Sequence, residues 1–228
     1  MATLLMSTYY MTVSMALPQE LIDHIIAQVA DRYHWDALQQ CSLVSHSFLL
    51  PSRKHLFTNI HINRATQCDK LHAVLARHPY IQSFIQYLRI LYNDHTYPDD
   101  PSLCDNKSLI AILQLPLRCL KDLTICSLSV PLKWDNLNHE MKHALWVIIR
   151  CPTLTELTCS RLNIPATLLF DTPARTLVLE QGSLNLNVFD TESSLDSQTG
   201  FFSTRIEHCI WRFYEKQHSL YFCYLISE

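Results

Sequence analysis

Leu117-Arg118-Cys119-Leu120-Lys121-Asp122-Leu123-Thr124-Ile125 sets leucines at 117, 120 and 123 and then alternates, with Leu123 and Ile125 on either side of Thr124. Alternation over a few residues marks a half-buried strand. Four other places repeat it: Ile60-His61-Ile62, Leu88-Arg89-Ile90, Leu157-Thr158-Cys159 and Leu177-Val178-Leu179. From first residue to first residue the five are 28, 35, 34 and 20 apart. Helix-like stretches lie between them, around residues 69–76, 108–115 and 137–149. Strands and helices in alternation predict parallel strands joined by helical crossovers, an α/β arrangement. The recurrence predicts a solenoid; the alternative is one non-repetitive α/β domain.

Composition narrows the function classes. The 228 residues are 48% hydrophobic and 17% charged, which describes a globular chain able to bury a core. A net charge of −3 gives no basic field for nucleic acid or an anionic membrane, and Arg53-Lys54-His55 is the densest cationic run. Only two glycines occur, Gly182 and Gly200, neither in a phosphate-cradling loop, so nucleotide enzymes built on such loops are excluded. Nine cysteines with no C-x-x-C pair read as buried free thiols in a reducing compartment, not as a disulfide framework or a cysteine zinc site. The opening MATLLMSTYYMTVSMA lacks a positive start, since the first basic residue is Arg32, and it reads as a loosely held tail. No run of 18 apolar residues is present.

A separate unit begins at Leu17-Pro18-Gln19-Glu20, where proline at a first helical position and an acid in the first turn predict a helix start. Leu21, Ile22, Ile25, Ile26 and Val29 form a wide apolar stripe. Asp36 is expected to cap a second helix carrying Leu38, Cys41 and Val44, and Pro51 to stand near the start of a short third one ending at Leu56-Phe57. About 40 residues are too few to enclose so many large side chains, so a partner or the following residues must cover some of them.

The order Leu17-Pro18-x-Glu20-Leu21-Ile22-x-x-Ile25-Ile26, then Leu38, then Cys41-Ser42-Leu43-Val44-Ser45-His46-Ser47-Phe48, then Leu56-Phe57, resembles the F-box, in the version common in fungal F-box/leucine-rich-repeat proteins. Leu117-x-x-Leu120-x-x-Leu123-x-Ile125 and Leu154-x-x-Leu157-x-Cys159 resemble the leucine-rich repeat loosely. Phe48 and Phe57 stand where many family members carry tryptophan. The resemblance implies a non-catalytic substrate receptor of a Skp–cullin–F-box ubiquitin ligase, cytoplasmic or nuclear, without a cofactor. Leu17, Pro18, Leu21, Ile22, Ile25, Leu38, Leu43, Val44 and Phe48 match motif positions and are the expected adaptor-binding residues. The expected partners are the Skp adaptor with its cullin core and an unknown protein substrate.

His139-Glu140-Met141-Lys142-His143 offers a different chemistry, because H-E-x-x-H on a helix can hold zinc with the glutamate as general base. A metzincin continuation needs glycine and histidine where Trp146 and Ile149 stand. Leu137, Met141, Ala144, Leu145 and Ile148 make the apolar face of that helix, which leaves His139, Glu140, Lys142 and His143 largely solvated. A zinc hydrolase is thus the rival reading, and a repeat scaffold with no ligase role a third.

The expected organisation is a tail at 1–16, the F-box at 17–57, a short, irregular leucine-rich-repeat-like solenoid at 58–182, a polar connector at 183–200 and an unassigned aromatic-rich segment at 201–228. The polar, proline-punctuated stretch 93–106 is expected to be a loop.

Overall fold

The computed structural model describes residues 17–31, 35–92, 102–128, 131–169, 172–180, 184–185, 208–215 and 218–224. The expected tail at 1–16 and most of the connector lie outside them. The chain divides into two compact units, residues 1–56 and 57–228.

In the first unit, helix α1 spans Gln19–Asp31, α2 spans Trp35–Val44, and α3 begins at His46 and ends at Thr58. The carbonyl of Pro18 accepts the amides of Leu21 and Ile22, at 3.1 and 3.2 Å, so Pro18 sits one residue ahead of its expected first helical position. Asp36 lies inside the first turn of α2, not before it. Pro51 is a second correction: it stands inside α3. Proline there removes the N–H that would bond the carbonyl four residues back, that of Ser47. Gln19 Nε2 donates to that same Ser47 carbonyl at 3.3 Å, which compensates the acceptor and ties α1 to α3.

The second unit is mixed α/β around a parallel sheet. Strand β1 spans Asn59–Ile62, β2 Tyr87–Tyr92, β3 Asp122–Ser127, β5 Glu156–Ser160 and β7 Thr176–Glu180, and they pair side by side in parallel, in that order. Ile60, Leu88, Leu123, Leu157 and Leu177, the five first residues read from the sequence, are register partners across the whole run. Helix α4 (Ala65–Arg77) joins β1 to β2, α5 (Lys107–Leu113) joins β2 to β3, and α6 (His139–Ile149) joins β3 to β5. The helices pack α4 on α5 and α5 on α6. Asn106 Oδ1 caps α5 by accepting from Leu109 N at 2.7 Å, and Asn138 Oδ1 caps α6 by accepting from Met141 N at 2.7 Å. The described end of the expected 93–106 loop is therefore a short 3-10 turn, Leu103–Asp105, and a cap.

Alternation sorts each strand. Leu88, Ile90, Leu123, Ile125, Leu157 and Cys159 face inward with Ile112, Leu113, Met141 and Leu145 of the helices, all buried. Burial raises the Cys159 thiol pKa to about 12 and pushes the Tyr92 hydroxyl far above its usual range; that hydroxyl contacts Met141 Sδ at 3.9 Å. Cys68 and Cys159 are buried, whereas Cys41, Cys104, Cys119, Cys126 and Cys151 are half-buried, and none of these seven is in a disulfide.

Three further features carry no clear pattern in the sequence. Strands β4 (Leu132–Lys133), β6 (Leu162–Pro165) and β8 (Leu184–Asn185) form a second small parallel sheet, and β8 falls inside the expected connector. Strand β9 (His208–Glu215) pairs in parallel with β7, and β10 (His218–Tyr224) runs antiparallel to β9. After β5 the crossover carries a 3-10 turn, Ala166–Leu168, and among the described residues no α-helix.

Arg161 turns the chain from β5 into β6 at φ 51°. Its amide donates to Glu180 O at 3.0 Å, its carbonyl accepts from Leu132 N at 2.9 Å, and Nη1 donates to Leu128 O at 2.8 Å. Left-handed backbone costs an L-residue roughly 1–2 kcal/mol and a β-branched one more. Arg161→Val is expected to lower the melting temperature by about 4–8 °C, as about 2 kcal/mol does in a domain of this size. Arg161→Gly, which relieves the backbone but loses the guanidinium bond, is expected to melt above Arg161→Val; the reverse order in a calorimetric scan contradicts this account.

Candidate docking surface

At about 100° per residue, neighbouring positions of a helix point to different sides. Ile22 and Ile26 make the inner row of α1, 3% and 0% exposed, and close on Leu38 of α2 at 0%. Val29, Ala30, Cys41, Phe48 and Leu56 pack around these three. The outer row is Leu21 and Ile25, with Leu17 and Pro18 just ahead of the helix. Leu17, Leu21 and Ile25 are 53%, 51% and 42% exposed, and Pro18 is exposed too. Leu43 and Val44, ending α2, are 77% and 69% exposed.

The nine expected adaptor residues therefore divide. Leu17, Pro18, Leu21, Ile25, Leu43 and Val44 present apolar surface, whereas Ile22 and Leu38 are core and Phe48 is half-buried against them. The side chains of Ile22 and Leu38 are spent holding the helices together. Trp35 and Leu50, which the sequence reading did not single out, are exposed as well. Glu20 and Asp23 stand beside the outer row, and Gln19 Nε2 also donates to Asp23 Oδ1 at 2.8 Å.

In the second unit the sheet face opposite the core carries Asn59, Tyr87, Asp122, Glu156 and Thr176 as one register row, and His61, Arg89, Thr124, Thr158 and Val178 as the next. At the β1–β3 end these residues line a cavity of about 290 Å³. There burial raises the Asp122 pKa, against the opposing pull of a hydrogen bond from Thr124 at 3.3 Å and the Arg89 charge. Toward β7 the face closes, with Ser160 and Val178 buried.

The H-E-x-x-H residues lie on α6. Met141, Ala144, Leu145 and Ile148 are buried, while His139, Glu140 and His143 are exposed. His143 stacks on Trp146, with ring centroids 6.4 Å apart, and Arg150 lies 4.0 Å over the same indole. Among the described residues no group of three or more His, Cys, Asp or Glu side chains is placed to hold a metal ion. A catalytic zinc needs a shaped, water-poor cavity and supporting hydrogen bonds, which an exposed helix face does not supply. Dialysed protein is expected to carry well under one zinc per chain by elemental analysis, unchanged by His143→Ala. One zinc per chain, lost in that variant, favours the hydrolase reading.

No described helix is long and apolar enough to cross a membrane. Comparison of the chain with family models, with curated proteins and with solved structures found no match.

Proposed function

We propose that the chain is the target-recognition subunit of a Skp–cullin–F-box ubiquitin ligase, itself non-catalytic. Residues 17–57 form the F-box that docks the Skp adaptor, and residues 58–182 form a leucine-rich-repeat-like solenoid that holds the protein to be ubiquitinated, in the cytoplasm or nucleus.

The observation that carries this reading is the outer apolar row of α1 with the end of α2. A unit whose buried centre is Ile22, Ile26 and Leu38 leaves Leu17, Leu21, Ile25, Leu43 and Val44 in water. Isolated surface leucines are ordinary, but several on adjoining helix segments, with acids beside them, have the anatomy of a protein interface. The order of motif residues supplies the adaptor's identity. In the second unit, five strands in one register, three of the joins helical, support the solenoid. The open sheet face offers mixed polar chemistry suited to a protein target.

Titrating purified Skp adaptor against the intact chain tests the proposal. Saturable capture at micromolar concentration or below supports it, and no capture by intact, folded chain overturns it.

A further inference from the structure

We propose that the second unit holds a small-molecule site in the groove where its parallel strands begin, and that the ligand carries a phosphomonoester on an apolar body. The groove has a volume of about 790 Å³, within the range of about 300–1,000 Å³ usual for small ligands. Three successive connections wall it: the segments entering β3, β5 and β7. They bring Arg118, Lys121 and Arg175 to one concavity, and among the described residues no carboxylate lines it, although the chain has more acids than bases, 21 against 18.

Register explains this separation of charge. The residue before each strand is Gln86, Lys121, Thr155 and Arg175 in turn. The carbonyl of Gln86 accepts the amides of Lys121 and Asp122, that of Lys121 the amides of Thr155 and Glu156, and that of Thr155 the amides of Arg175 and Thr176, all at 2.8–3.1 Å. Each rim position is thereby fixed to the next. Asp122 and Glu156 begin their strands one residue later and share a row on the open sheet face, and neither lines the groove.

Arg118 and Lys121, both exposed, stand three residues apart on one stretch of the rim, within reach of one tetrahedral anion, and Arg175 adds positive charge to the same groove. Arginine offers a planar fork and lysine a point charge; together they match a phosphate dianion better than a single carboxylate. Pro152 and Pro173 give the same groove apolar wall for the remainder of the ligand. Arg118 and Lys121 are solvent-exposed, so the attraction is screened by salt.

Titration calorimetry of the full chain with phenyl phosphate tests the site. Saturable binding is expected, tighter than that of benzoate or of inorganic phosphate. It should weaken about tenfold or more in Arg118→Ala/Lys121→Ala, and several-fold when sodium chloride rises from about 0.05 to 0.5 M. Lys133→Ala, on β4 and not among the residues of the groove, should bind as the wild type does. Should the double variant lose its circular dichroism signal, Lys121→Gln alone serves for the comparison, with a smaller loss expected. No binding by wild type, equal binding by the variants, or benzoate or inorganic phosphate binding as well as phenyl phosphate overturns the proposal.

Discussion

Replacing Leu17 and Pro18 together by alanine is expected to weaken capture of the Skp adaptor at least tenfold while residues 58–182 stay folded. Leu17 is 53% exposed and Pro18 is exposed, so neither change empties a core position. Covering a leucine side chain contributes roughly 1.5–3 kcal/mol. Truncating an interface anchor commonly costs about 2 kcal/mol or more, about thirtyfold in affinity. Pro18 acts through the backbone as well. Its carbonyl accepts the amides of Leu21 and Ile22 in the first turn of α1, and its fixed φ sets the direction from which Leu17 approaches the helix. Alanine keeps the carbonyl and releases φ, so the position of Leu17 is loosened on top of the lost area. Adaptor titration with circular dichroism as the folding control reads the result. Equal capture by wild type and variant means that this surface is not the docking face.

The parallel sheet was legible because its signal is local and repeated. Leu123-Thr124-Ile125 buries its two apolar members on one side, and the four sister alternations share that register. Other strands carry no such signal. Leu132–Lys133 and Leu184–Asn185 are two residues each, below any period, and Leu162–Pro165 ends in a proline that argues against a strand. Strand β9 reads Cys-Ile-Trp-Arg-Phe-Tyr through its middle, where large residues follow one another and alternation vanishes. Pro51 was misplaced because proline is ordinarily a boundary; here a side chain thirty-two positions earlier in the sequence satisfies the acceptor it leaves.

The exposed apolar row of α1 was legible as part of a stripe but not as a surface. Leu21, Ile22, Ile25 and Ile26 make two adjacent rows, and a stripe that wide does not say which row its own chain covers. Packing of Leu38 under Ile22 and Ile26 decides it. The cationic groove gave less warning still. Arg118 and Lys121 are far in sequence from Arg175, and only the shared rim position before successive strands brings them together.

Leu38 and Leu43 lie on one helix five residues apart, and their alanine variants are expected to fail in opposite ways. Leu38 is fully buried and is one of three residues at the centre of the first unit. Removing a buried leucine side chain typically costs about 2–5 kcal/mol, the transfer term plus the cavity left behind. A small helical unit has little reserve against such a loss. Leu38→Ala is therefore expected to collapse hydrogen-exchange protection across Gln19–Asp31 and Trp35–Val44, with adaptor capture lost because the unit opens. Leu43, 77% exposed, has no core to disturb. Leu43→Ala should leave the exchange pattern within about 0.5 kcal/mol of wild type, while adaptor capture falls about tenfold if it is an anchor. Exchange must be read by peptide, since a global melt is dominated by the larger second unit. Protection of α1 and α2 unchanged in Leu38→Ala removes the three-residue centre from the account. Loss of protection in Leu43→Ala shows instead that the end of α2 packs inward, which leaves the docking face with α1 alone.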